Sequence, residues 1–281
     1  MGKFSLGKPK LAKQMSIHSK LAHSELNRPM LTLNQLVIQF EDKTAVSIDK
    51  LSFHHGEKTA IIGRSGCGKS TLINHVFEQL KPTAALCSQR QGLVENLSVF
   101  HNIFMGALNQ HSWIYNLANL VSPFKGPRQA IQQIADSLEL DCPLSQPVSS
   151  LSGGQRQRVA LGRALYQRQA LFIGDEAFSA LDPVMGQRLL TQVLASHETV
   201  IMVLHDMDMA LTHFDRVIGL REGKKVLDID AKYLDLNTLE AFYQNSSDTD
   251  TAGGVNVGDK RVNEKSESPQ IEPLNSVVKR Y

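Results

Sequence analysis

The sequence predicts an α/β fold around a largely parallel sheet, and three observations carry that reading. Of its 281 residues, 42% are hydrophobic, enough apolar surface for one large or two ordinary domains. Short, unbroken apolar runs rich in Val, Ile and Leu, at Thr59 to Ile62, Leu171 to Gly174, Val200 to Leu204 and Val217 to Leu220, alternate with longer helix-like stretches. A strand covered on both faces reads as such a run, because none of its positions faces water. The first run leads directly into a glycine-rich segment that opens a helix, a strand-loop-helix unit typical of parallel sheets.

Composition excludes several classes. Thirty basic residues against 28 acidic ones leave a net charge of +2, which gives no general case for a nucleic-acid partner. The cysteines Cys67, Cys87 and Cys142 are odd in number and form neither a disulfide framework nor a CxxC metal pattern, which points to a reducing, cytosolic compartment. Apolar runs extend only a few residues, whereas a helix needs about 20 to span a bilayer.

In chain order, residues 1–30 form a basic leader with six basic residues against Glu25, a net charge of +5. It lacks the apolar stretch and cleavage site of a secretory signal, and Leu6 stands where a myristoylation motif needs Ser or Thr. The leader reads as a solvated flexible arm; the alternative is contact with anionic lipid headgroups. Residues 31–244 form the folded part and carry a net charge of −2. From Asn245 to Tyr281 the chain is polar, with Ser246-Ser247-Asp248 and Gly253-Gly254, and reads as a disordered tail because it has too little apolar surface to bury.

Within the folded part, Gly63-Arg64-Ser65-Gly66-Cys67-Gly68-Lys69-Ser70-Thr71 fits GxxxxGK[ST]. Glycines let successive backbone N–H groups face one anion, and the helix beginning near Lys69 adds its positive end. Lys69 can then reach the terminal phosphates of a nucleotide, and the Ser70 hydroxyl suits Mg²⁺, which prefers oxygen ligands. Cys67 serves through its backbone N–H. Further on, the apolar run Leu171 to Gly174 ends in Asp175-Glu176. Adjacent side chains on a strand point in different directions, so the two carboxylates can take separate roles. Asp175 would support Mg²⁺ and Glu176 would orient or deprotonate an attacking water. The pair His54 and His55 and the isolated His101 read as surface residues, not as a metal site.

Leu151-Ser152-Gly153-Gly154-Gln155-Arg156-Gln157-Arg158 matches the signature of ATP-binding cassette (ABC) proteins, and with it the sequence resembles an ABC transporter ATPase subunit over residues 31–244. The resemblance implies a P-loop NTPase cassette: a RecA-like parallel-sheet core, an antiparallel β subdomain and an α-helical signature subdomain at about residues 90–165. It further implies that Gln89 helps hold Mg²⁺ and senses a membrane partner. Ser179-Ala180-Leu181-Asp182 would cross a dimer interface, His205 would contact the terminal phosphate, and Phe40 would stack on adenine. Ser152, Gly153, Gly154 and Gln155 would close over the ATP held by a second copy, so two chains would sandwich two ATP molecules. The implied partners are that second copy, two membrane permease subunits and a separate solute-binding protein, with no specific nucleic acid. The implied location is the cytoplasmic face of the inner membrane.

Two departures stand out. Lys69 and Gln89 are only 20 residues apart, where the family usually carries further antiparallel strands, so that subdomain is expected to be shortened. Ala177 replaces a proline, a change expected to be tolerated. The run Asn102 to Leu108, followed by Trp113 and Leu117 to Phe124, resembles the phosphonate-importer ATPases. Trp113 is either a buried anchor or a contact for the membrane subunit; Glu95 and Asn96 are candidates for the coupling region. The expected function is ATP hydrolysis that powers import of a small solute, with phosphonate as the candidate. The rivals are a soluble ATP-dependent switch acting on nucleic acid, which usually needs paired cassettes or long coiled coils, and a non-hydrolysing regulatory protein.

Overall fold

The computed structural model describes residues 29–41, 43–88 and 92–244. Gln89, the polar tail and all of the basic leader except its last two residues lie outside the described residues. Pro29 and Met30 open the first strand, two residues before the change in composition.

Strands β1 (Pro29–Phe40) and β2 (Lys43–His54) pair antiparallel, with Leu33 opposite Leu51 and Ile38 opposite Val46. The central sheet contains β3 (Lys58–Ile62), β4 (Ala84–Cys87), β5 (Leu171–Asp175), β6 (Thr199–Val203), β7 (Arg216–Arg221) and β8 (Lys224–Asp230) in the order β4-β5-β6-β3-β7-β8. All neighbours are parallel except β7 and β8. The four apolar runs correspond to β3, β5, β6 and β7. Every residue of β5 and β6 is buried, which is why neither shows a polar alternation.

The period of two assigns each face of the sheet its own core. Ile61, Ile173, Ile201 and Ile218 point toward helix α1 (Lys69–Leu80) and the β1-β2 sheet. Ala60, Phe172, Val200 and Met202 point the other way, toward the helices on the opposite side. Those helices are α2 (Val99–Phe104), α3 (Trp113–Val121), α4 (Lys125–Ser137), α5 (Gly153–Tyr166), α6 (Pro183–Ser196), α7 (Met207–His213) and α8 (Leu236–Gln244).

The short interval after Lys69 holds only α1, a turn and the edge strand β4. No room is left there for further antiparallel strands, and the subdomain consists of β1 and β2 among the described residues. The signature helix starts at Gly153, six residues before its apolar run begins at Val159. A capping box explains this: Ser152 Oγ accepts from Gln155 N at 3.3 Å, and Gln155 Oε1 accepts from Ser152 N at 3.0 Å.

Candidate active site

Three parallel strands end side by side, and each delivers part of the site. Beyond β3, the loop Gly63 to Gly68 turns into α1. Gly68, with φ +100°, sits at the helix start, where a Cβ would lie 2.6 Å from the Ala45 carbonyl oxygen. Only glycine satisfies both the left-handed backbone and that close approach. Arg64, Ser65 and Gly66 form the exposed rim of the loop, and Thr71 follows Ser70 in the first turn of α1. The buried Lys69 ammonium donates to the carbonyls of Gly63 at 2.8 Å and Arg64 at 3.0 Å, which holds the charge inside the loop. Cys67 is buried beneath it, and burial raises its thiol pKa against the lowering effect of Lys69.

At the end of β5, Asp175 Oδ1 accepts from the Ser70 hydroxyl at 3.2 Å. Asp175 is buried, and burial raises its pKa against the opposing effects of Ser70 and Lys69. A hydroxyl and a carboxylate converging beside an anion-binding loop form an oxygen donor set that suits a hard cation. The next residue, Glu176, adopts φ +53°, and its Oε1 accepts from His205 Nε2 at 2.6 Å across from the end of β6. A cavity of 320 Å³ lies beside this pair, lined in part by Ala177, Ser179, Asp182 and Asp206.

The structure thus brings Lys69, Ser70, Asp175, Glu176 and His205 to one end of the sheet. Phe40 is 61% exposed at the end of β1, opposite Lys43, and the same end of β2 abuts the phosphate loop through Ala45 and Val46. Ser152 and Gly153 are exposed at the start of α5, and Gly154 faces the Ala180 carbonyl. No cluster of three or more metal-ligating side chains occurs among the described residues, and His101 instead bonds Ser98 Oγ at 2.7 Å.

Several contributors escaped the sequence reading. Tyr243 of α8 accepts through its hydroxyl from Gly63 N at 3.3 Å, which ties the last described helix to the phosphate loop. Gly223, in the β7-β8 turn, donates to Cys67 O at 3.0 Å and accepts from Ser47 N at 2.8 Å. Buried Asn102 bonds the backbone of Val94, Leu97 and Ser98 and so shapes the loop that holds Glu95. Glu95 in turn forms a two-pronged pair with Arg156 of the signature helix, one contact at 2.6 Å, and Arg156 holds its pKa down. Asn96 is exposed. A polar residue at an otherwise apolar helix position was the available signal for Asn102; Gly223 and Tyr243 had none.

Helix α3 is inside out. Asn119 and half-buried Tyr115 face inward, whereas Trp113 and Val121 are 74% and 81% exposed and Ile114, Leu117 and Leu120 are also exposed. Trp113 is therefore no buried anchor.

Comparison with known proteins accords with this geometry. Residues 46–179 match the ABC transporter family. Phosphonates import ATP-binding protein PhnC 2 of Pseudomonas aeruginosa is 33% identical over 240 residues, spanning 74% of this chain and 88% of that protein. The PhnC protein of Rhizobium meliloti is 31% identical, spanning 76% and 86%. Among solved structures, a nucleotide-free ATP-binding cassette of an ABC transporter superposes with TM-score 0.61 at 22% identity, over 76% of this chain and 99% of that one. A dimeric bacterial ABC transporter cassette does so with TM-score 0.61 at 21% identity, over 72% and 99%. At that identity the structures attest the fold.

Proposed function

The chain belongs to the ABC transporter family as an ATP-hydrolysing cassette, and from that premise we propose that it powers an importer whose solute is a phosphonate. The observation that carries the catalytic part is the convergence of the phosphate loop, Asp175 and the Glu176–His205 pair at the ends of β3, β5 and β6.

In this reading the loop N–H groups and Lys69 hold the β- and γ-phosphates, and Phe40 stacks on the adenine. Ser70 and Asp175, with Gln89, would hold Mg²⁺, which would supply charge neutralisation at the phosphate oxygens. Glu176 orients a water and accepts its proton as the oxygen bonds to the γ-phosphorus. The bond from that phosphorus to the β,γ-bridging oxygen breaks, and ADP and phosphate leave. His205 holds the Glu176 carboxylate and faces the γ-phosphate. Most of the rate enhancement is positioning and charge stabilisation by preorganised groups. Ser152, Gly153, Gly154 and Gln155 complete the site of a second copy, so closure of a head-to-tail homodimer precedes hydrolysis.

The membrane subunits are the partner for the exposed apolar face of α3, which gains by leaving water. No described helix is long and apolar enough to cross a membrane. In this reading the chain sits at the cytoplasmic face, bound to those subunits, and a separate solute-binding protein delivers the cargo. The phosphonate assignment rests on the relatives named above.

The test is ATP turnover by the purified chain, wild type beside Glu176→Gln, with size-exclusion chromatography in ATP and Mg²⁺. Turnover in the wild type and an ATP-trapped dimer in the variant are expected; equal turnover in both would sink the catalytic assignment. Phosphonate uptake in cells carrying only the Glu176→Gln chain is expected to stop. Continued uptake would replace phosphonate by another solute.

A further inference from the structure

The Glu176 backbone is held in a conformation that an L residue rarely adopts, with φ +53°. Such a conformation persists only where the surroundings over-determine it. The surroundings here include one side chain from the signature helix. Gln157 of α5 is 3% exposed, although it is neither apolar nor part of the nucleotide-facing end of that helix. Its Nε2 donates to the Glu176 carbonyl at 2.9 Å, and its Oε1 accepts from Ala180 N at 2.7 Å. Ser179 N also donates to the Glu176 carbonyl, at the longer distance of 3.2 Å. One amide therefore spans the loop from Glu176 to Ala180 at both ends.

The position of this amide has a mechanical consequence. The Glu176 carboxylate must sit within a fraction of an ångström of its working place, because small misplacements of a reacting group cost large factors in rate. Its backbone is anchored to the helix whose exposed start is Ser152 and Gly153. That start lies four residues from Gln157, about one helical turn, and Gly154 packs against Ala180 of the same loop. A shift of the signature helix is thus conveyed to Glu176 through a rigid, buried connection.

We propose that Gln157 is a positioning residue for hydrolysis: it clamps the Glu176–Ala180 loop to the signature helix, so that engagement of the signature sets the Glu176 carboxylate in the same chain. The inference rests on the catalytic role of Glu176 given above.

The test replaces Gln157 by Met, which preserves length and removes both hydrogen bonds. ATP affinity, kcat and thermal midpoint are measured on the full chain, and ATP-dependent dimer formation is measured with Gln157→Met combined with Glu176→Gln. The expected result is a fall in kcat of about 10- to 100-fold, with ATP affinity within about two-fold of wild type and the ATP-trapped dimer intact. Unchanged kcat overturns the proposal, as does a parallel loss of ATP affinity. Loss of the dimer in the double variant also overturns it, because Gln157 would then serve the signature face and not the carboxylate. Should Gln157→Met not fold, Gln157→Asn, one methylene too short to span both partners, is read in the same way. The two ideas fail separately: turnover retained by Glu176→Gln alone defeats the role of Glu176, whereas its loss together with normal kcat in Gln157→Met defeats only the clamp.

Discussion

His205 Nε2 donates to Glu176 Oε1 at 2.6 Å, although the two residues are 29 positions apart and leave the sheet from different strands. The contact fixes the direction of a carboxylate whose backbone is itself in the left-handed region. Glu176→Gln is expected to lower kcat by about 10²- to 10⁴-fold, the range for loss of a general base, with ATP binding retained. His205→Ala is expected to cost about 10²-fold, and His205→Gln less, because a donor remains. Steady-state kinetics beside equilibrium ATP binding separates the two effects.

Asp175 is a carboxylate buried at the end of β5. Burial raises its pKa, so the folded chain takes up a proton there more readily than the unfolded chain. Its contribution is favourable below the unfolded carboxylate range and is lost as pH rises through the folded value. Asp175→Asn is therefore expected to raise Tm at neutral pH and to abolish Mg²⁺-dependent hydrolysis. A lower Tm in calorimetry would contradict this.

Gly223 affects the nucleotide site from outside it. With φ +76° and a Cβ position 2.5 Å from Ala45 O, Gly223→Ala must move the turn that bonds both Cys67 and Ser47. A destabilisation of about 1–3 kcal/mol is expected, together with weaker ATP binding, although the residue is assigned no nucleotide contact. Urea unfolding and ATP titration of the variant check both effects.

His197 is buried, packs 5.1 Å from the Phe172 ring and donates through Nδ1 to Val193 O at 3.0 Å. Burial lowers its pKa. The depressed value means that stability is present above the unfolded imidazole range, near pH 6.5, and is lost as pH falls through the folded value. Acidification from pH 7.5 to about 5.5 should lower the Tm of the wild type more than that of His197→Gln. Parallel curves would refute the assignment.

The outer face of α3 should matter for assembly and not for chemistry. Leu117→Glu together with Val121→Glu places two charges on exposed positions, so the isolated chain should keep its ATPase rate within about two-fold. Co-purification with the membrane subunits should be lost. Normal assembly would remove α3 from the interface.

Much of the site was legible because its chemistry depends on residues close in sequence. A phosphate loop needs glycines at fixed offsets from Lys69, and a strand covered on both faces must be apolar throughout, so Gly63 to Thr71 and the runs ending at Ile62, Gly174 and Leu204 announced themselves. The capping box at Ser152 and Gln155 is equally local, because its two partners lie three residues apart. Strands β1 and β4 gave weaker signals: the first because an exposed, half-covered strand carries polar residues, the second because four residues are too few to show a period.

What the sequence by itself determined is the parallel sheet, the phosphate loop and the identity of the groups that could act on a nucleotide. The tertiary structure alone decided which distant groups meet: His205 with Glu176, Tyr243 with Gly63, Gly223 with Cys67 and Gln157 with the loop behind Glu176. The physical reason is that local pattern records whether a side chain is buried and which way the backbone turns, whereas a hydrogen bond between residues 19 to 180 positions apart depends on how strands order themselves in the sheet. That order, β4-β5-β6-β3-β7-β8, arises from packing the whole chain at once and is written in no single segment of it.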